Sequence, residues 1–211
     1  MKSILVIAKN TYKELIRDRI LYLLAFFAII LLGFSLALGQ LSFNEQARIS
    51  ANFGLTGMHL GAILLSIFVG SSLVAKEIDK QTILTLLVRP ISRMQFLIGK
   101  YLGLALVVLT ILFGLTLLQV SIFLGLKVTL GINFIIAILG IYLESLLIMS
   151  FTLLFSTFSR PTMVVCFSFC LFLIGHWLNN LAFLAEKSSS QAFKFFSNLV
   201  VAALPNLEEF N

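Results

Sequence analysis

Charge is what this sequence has least of: Lys, Arg, Asp and Glu together make up 11% of 211 residues. A soluble domain carries about a quarter charged residues, so an ordinary water-facing surface is excluded. Cysteine is also scarce, with only Cys166 and Cys170, four apart inside an apolar run. Their number and place exclude a disulfide framework or a cysteine metal site, and they read as packing residues. No glycine-rich loop followed by Lys and Ser or Thr occurs, which excludes the usual phosphate-cradling nucleotide site. No nucleophile and base stand at a recognisable spacing, so the expectation is a chain without catalytic, cofactor-binding or metal-ligating residues, and not an enzyme.

What the chain has instead is apolar length. Hydrophobic residues make up 60% of it, and the mean hydropathy is +1.08. About 20 apolar residues cross a hydrocarbon layer of about 30 Å, where backbone groups must be satisfied within a helix. Five runs meet that length, at 20–44, 49–75, 101–126, 128–159 and 161–185, the fourth interrupted only by Glu144. The expected fold is therefore an all-α polytopic membrane protein of five transmembrane helices in one domain, 1–211, with no internal repeat. The first run is longer than the about 7–15 apolar residues of a signal peptide and follows a long polar start, so it reads as an uncleaved helix. The stretch 41–56 is polar and reads as a connection between spans.

Basic residues set orientation. With the N-terminus inside, Lys2, Lys9, Lys13, Arg17, Arg19, Lys76, Lys80, Arg89, Arg93, Lys100 and Arg160 are cytoplasmic, against Arg48, Lys127, Lys187 and Lys194 outside. The N-terminus is thus expected in the cytoplasm, and the net charge of +6 is a topology signal rather than a sign of nucleic-acid binding.

Two segments outside the runs carry pattern. In residues 1–19, Leu5, Ala8, Tyr12, Leu15 and Ile16 share one helical face, and Lys9, Lys13 and Arg17 form a basic stripe on another. That is the pattern of a helix lying in the headgroup layer with its lysines toward anionic lipid, or of a cytoplasmic extension of the first span. Residues 76–100, KEIDKQTILTLLVRPISRMQFLIGK, are a charged island between two apolar runs. Ile83, Leu86 and Leu87 form a short apolar face, Pro90 disfavours helical geometry at Arg89, and Ser92 is placed to N-cap the next helix. Lys100 is placed to snorkel toward the interface.

Within the spans, Glu144 lies in the middle of the fourth run, as a residue lining a polar path, a helix–helix hydrogen bond at the permease interface, or a protonated or paired structural residue. No partner group is expected at the centre of another span, which argues against a proton relay. His59 is read as lying near the outer end of the second span, and His176, Trp177, Asn179 and Asn180 near the outer end of the fifth, as an interfacial belt. Two histidines on separate helices, without a cysteine or carboxylate pattern, do not define a metal site. Gly57 with Gly61, and Gly99 with Gly103, satisfy the small-xxx-small spacing and are assigned to close helix packing.

The span ending in Lys76-Glu77, the Thr-Leu-Leu stretch, Arg89-Pro90-Ile91-Ser92-Arg93 and the following Gly99-Lys100 resemble the cytoplasmic coupling segment of type-two ATP-binding cassette (ABC) exporter permeases. Lys9 to Arg19 resemble the interfacial elbow helix that precedes the first span in that family, especially its copper-processing and gliding-motility branches. Residues 155–160 resemble the turn between its fourth and fifth spans, and 204–211 the stretch leading to a sixth. The resemblance implies an ABC permease subunit in the cell membrane, a bacterial inner membrane, exporting or moving a substrate. Its partners would be a cytosolic ATPase holding ATP and Mg, a second permease chain, identical or related, and the bilayer. It also implies that Glu77, Thr82, Leu86, Arg89, Pro90, Ser92 and Arg93 couple to the ATPase, and that a sixth span follows, where this sequence has only an extracytoplasmic segment, 186–211. The alternative from another class is a membrane scaffold or assembly subunit that does not transport.

Overall fold

In the computed structural model, residues 2–40, 46–79, 92–125, 131–187, 193–195, 197, 200–201 and 205–208 are described. The fold is all-α, with no strand among these residues. Helix α1 (Lys2–Ile16) leads through a turn at Arg17 and Asp18 into α2 (Arg19–Gln40), then follow α3 (Gln46–Asp79), α4 (Arg93–Gly125), α5 (Ile132–Ser156), α6 (Pro161–His176) and α7 (Leu178–Lys187). Four of these, α2 to α5, are long and apolar enough to cross a membrane singly. The fifth span expected at 161–185 is a bent pair, α6 and α7, which meet at 60°.

The helix ends follow local chemistry. The Asp18 carboxylate accepts from the Ile20 N–H at 3.1 Å, which starts α2. At α4, Ser92 Oγ accepts from the Gln95 N–H at 3.2 Å, and Gln95 Oε1 accepts from the Ser92 N–H at 3.3 Å. This reciprocal pair is a capping box, so the expected N-cap at Ser92 is observed. Pro161 opens α6, where its missing N–H costs nothing.

Helix α3 is the axis of the bundle. Two-thirds of its span, 67%, is buried, against 28% for α2 and α5 and 39% for α4. It starts at Gln46, so most of the stretch expected to be a connection, 41–56, is helix. The reason is packing: Ser50 O accepts from Gln119 Nε2 on α4 at 3.2 Å, and both residues are fully buried.

Three apolar clusters hold the helices to α3. Leu15, Leu24, Val69, Leu104 and Met149 belong to one, at the end of the bundle that carries α1. Ala28, Leu32, Met58, Leu112 and Ile141 belong to a second. The third joins Ile63, Ile67, Ile148, Leu171 and Phe172 to Leu207 of the C-terminal segment.

Glycines mark where helices touch. A Cβ on Gly61 would stand 2.7 Å from Ala28 Cβ, and one on Gly57 would stand 3.0 Å from Leu31 Cβ, so this pair seats α2 on α3. A Cβ on Gly99 would stand 2.8 Å from Ile7 Cβ, and one on Gly103 would stand 2.6 Å from Thr11 Cβ, so the other pair seats α1 on α4. Both pairs serve packing within the chain.

Helix α1 buries Ala8, Thr11 and Leu15, while Leu5 is 67% exposed. Ala8 and Leu15 of the face read off the apolar residues are buried and Tyr12 and Ile16 half-buried; Thr11 joins them in place of Leu5, because the partner is a glycine groove that takes a threonine as readily as a leucine. Lys9, Lys13 and Arg17 are exposed, as the stripe required. Lys100 does not snorkel: it is buried, with Nζ 3.7 Å from Glu14 Oε2 of α1. Cys166 and Cys170 are free and exposed rather than packed, because the buried line of α6 runs through Val164, Ser168, Leu171, Phe172 and Gly175.

A polar centre inside the bundle

Glu144 lies half-way along α5 and is fully buried. His59 lies about as far from Arg48 as from Leu73, the ends of the apolar window of α3, so it stands near mid-span rather than near the outer end. The two meet: His59 Nε2 and Glu144 Oε2 share a hydrogen bond of 2.7 Å. His176 closes α6 on the same centre, with Nδ1 3.7 Å from Glu144 Oε1. The ligand-capable atoms of the three residues all lie within 4.8 Å of one another.

Of the readings open for Glu144 this is the paired, helix–helix hydrogen-bonded one; it corrects the expectations that no partner group sits near the centre of another span and that the histidines form an interfacial belt. Two physical reasons produce the convergence. Helix α3 runs on for more than three turns beyond His59 before it ends at Gln46, which sets His59 deep. Helix α6 stops at His176, where Trp177 takes a non-helical conformation (φ −107°, ψ 8°) and α7 departs. Trp177 itself is exposed at the bend.

The break is stabilised from the C-terminal segment. The Leu207 N–H donates to the freed carbonyl of Gly175 at 3.2 Å. Leu207 is fully buried, and a Cβ on Gly175 would stand 2.5 Å from Leu207 Cδ1, so a larger residue there would force the Leu207 side chain to shift. Asn179 Nδ2 donates to Glu208 Oε2 at 2.8 Å and Asn206 Nδ2 to Asn179 Oδ1 at 3.1 Å, which ties the segment to the first turn of α7.

The surroundings are apolar and aromatic. Phe172 lies one helical turn before His176, its ring centroid 4.7 Å from that of His176 and 5.9 Å from that of His59. The two imidazoles are 5.5 Å apart, tilted by 35°. Within this shell Glu144 Oε1 and both ring nitrogens of His176 are buried without a hydrogen-bond partner. Below the centre, Thr152 Oγ1 bonds Ser168 Oγ at 3.0 Å and continues the polar contact between α5 and α6.

The sequence model of a family described as "ABC-2 family transporter protein" matches residues 5–202. The chain belongs to this family. No curated protein matches it. As an ABC-2 chain it is a multi-pass membrane component of a transporter and not itself the catalytic subunit.

Of the residues expected to couple this ABC-2 chain to an ATPase, Glu77, Ser92 and Arg93 are among the described ones. Glu77 falls in the last turn of α3, Ser92 caps α4 and Arg93 opens it. Thr82, Leu86, Arg89 and Pro90, with the break expected at 89–90, lie outside the described residues. Glu77 lies on the same continuous helix as His59, the α3 partner of Glu144. His59 and His176 were missed as partners of Glu144 because their runs show only that each histidine is in a span, not its height. The signal available was Glu144 mid-run together with His59 near the midpoint of its own run, 49–75.

Proposed function

We propose that this chain is the permease subunit of an ABC exporter, in which a cytosolic ATPase holding ATP and Mg docks on the segment 76–100 and drives α3. The observation that carries the reading is the continuity of α3, which runs unbroken from Gln46 through His59 to Asp79. Eighteen residues separate His59 from Glu77, about 27 Å at 1.5 Å per residue. A force applied at the Glu77 end therefore acts on a rigid rod whose middle holds the polar centre. Because α3 packs against α2, α4, α5 and α6, its tilt changes the contacts of four neighbouring helices together.

Docking moves the bundle only if the ATPase binds the segment with different affinity in its two nucleotide states. The coupling residues would be Glu77, Thr82, Leu86, Arg89, Pro90, Ser92 and Arg93. Two copies of the chain, or this chain and a related one, would pair across the translocation path. Lys9, Lys13 and Arg17 would rest at the anionic headgroups of the cytoplasmic leaflet of a bacterial inner membrane, with the N-terminus inside.

The test is capture from native membranes. Tagged chain pulls down a cassette ATPase, and Glu77→Ala or Arg93→Ala weakens the association without loss of folded protein. If no ATPase is captured, the chain is a scaffold and the transport reading fails. If capture occurs but is unchanged by both substitutions, the docking surface lies elsewhere.

A further inference from the structure

We propose that His59, Glu144 and His176 form a binding site for one divalent transition-metal ion of the zinc class, between α3, α5 and α6. The argument starts from what the polar centre leaves undone. A hydrogen-bonded triad would place His176 Nδ1 within about 3.2 Å of the carboxylate. It stands instead at 3.7 Å, so Glu144 Oε1 and both nitrogens of His176 remain buried and unpartnered. Buried polar groups without partners are rare and call for a specific cause. A metal ion placed between Oε1 and Nδ1 satisfies both at once.

The distances suit it. Bonds of about 2.0–2.2 Å to imidazole nitrogen and carboxylate oxygen put neighbouring tetrahedral ligand atoms roughly 3.3 Å apart. The observed separations, 2.7 Å from His59 Nε2 to Oε2 and 3.7 Å from His176 Nδ1 to Oε1, bracket that value. Closing the set needs only side-chain rotation, because all the ligand-capable atoms already lie within 4.8 Å.

The donor set selects the metal. Two imidazoles and one carboxylate suit Zn²⁺, Co²⁺ and related ions, whereas Mg²⁺ and Ca²⁺ take oxygen ligands in larger number. Three protein ligands leave a fourth position open, unlike the closed four-ligand set of structural zinc. As a ligand the Glu144 carboxylate would offset one of the two metal charges, and Phe172 against both imidazoles shields the site from water. Helix α6 supplies its ligand from its last residue, so metal occupancy would pin the bend at Trp177 to the central helix.

The site stands apart from the ATPase reading and is tested without it. Full-length chain, purified in detergent and stripped by a chelator, is titrated with Co²⁺. The expected result is one Co²⁺ per chain with the visible absorption of a four-coordinate ion, displaced by Zn²⁺ and not by equal Mg²⁺ or Ca²⁺. His176→Gln is the decisive variant, since His176 has no hydrogen bond to lose in the metal-free fold. Loss of an outer-shell partner alone costs roughly 10- to 100-fold in metal affinity, so loss of this ligand costs more than about 100-fold. The Cys166→Ser, Cys170→Ser chain keeps the absorption. The proposal is overturned if the wild-type chain takes up no stoichiometric Co²⁺, or if His176→Gln binds it equally, which would mean an adventitious ion only. A chain that binds Co²⁺ but captures no ATPase keeps the metal site and loses the transport reading.

Discussion

Replacing Gly61 by alanine adds one methyl group at the seam between α2 and α3, and the structure sets what it meets. The new Cβ would stand 2.7 Å from Ala28 Cβ, whereas carbon atoms rest at about 3.5–4.0 Å. Ala28 is a short, 1% exposed side chain on a packed helix, so it cannot rotate away. The helices must part by roughly 1 Å, at a cost of about 1–3 kcal/mol for overpacking. Helix propensity acts in the opposite direction, since alanine is better than glycine in a helix by about 0.5–1 kcal/mol.

A second glycine separates the two effects. Gly33 is exposed on α2 and has nothing within 4 Å of its added Cβ among the described residues. Gly33→Ala therefore reports propensity alone, and the difference between the two variants should be about 1–3 kcal/mol. At about 2–4 °C per kcal/mol for a chain of this size, thermal unfolding in detergent should separate their midpoints by roughly 2–12 °C. Ala28→Gly should restore much of the loss in the Gly61→Ala background, a coupling on the order of 0.5–3 kcal/mol. Equal midpoints for Gly61→Ala and Gly33→Ala, or no rescue by Ala28→Gly, would refute the packing argument.

Removing the Glu144 side chain by Glu144→Ala breaks a buried pair and should cost about 3–5 kcal/mol, while Glu144→Gln, which keeps a hydrogen-bonding group beside His59, should cost about 1–3 kcal/mol. Detergent unfolding curves rank the two, and the reverse order would count against the pairing with His59. Ile7→Cys with Gly99→Cys, in a chain lacking Cys166 and Cys170, should cross-link on oxidation, because their Cβ atoms start closer than the about 3.8 Å of a disulfide and need only a small retreat; intact thiols under oxidant would show that α1 does not dock on α4. Ser92→Ala removes one half of the capping box and should cost about 1 kcal/mol, seen as faster amide exchange in the first turn of α4 with the end of α5 unchanged.

The readable part of this molecule was whatever depends on a single helix. The five apolar runs marked the spans, since length and the lack of charge suffice to state that a segment crosses the bilayer. The Ser92 cap was visible because a hydroxyl three residues before a Gln is a local hydrogen-bonding pattern. The glycine pairs at 57 and 61 and at 99 and 103 marked close contacts because small side chains at that spacing do so on any helix. Where a reading needed two helices at once, it failed. The apolar face of α1 was legible at Ala8, Tyr12 and Leu15, but the burial of Thr11 and the exposure of Leu5 were not, because the groove at Gly99 and Gly103 rewards a close fit over hydrophobicity.

By itself, then, the amino-acid sequence determined an all-α, multi-pass chain, where it is capped and where its helices can approach. All of these rest on interactions within a few residues, or on the solvent that each residue prefers. Only the tertiary structure decided that Glu144 shares its depth with His59 and His176. That depends on the long extension of α3 beyond His59, on the bend after His176, and on Leu207 folding back to occupy the space at Gly175. Three helices had to be set in register before a lone carboxylate in an apolar run became a polar centre.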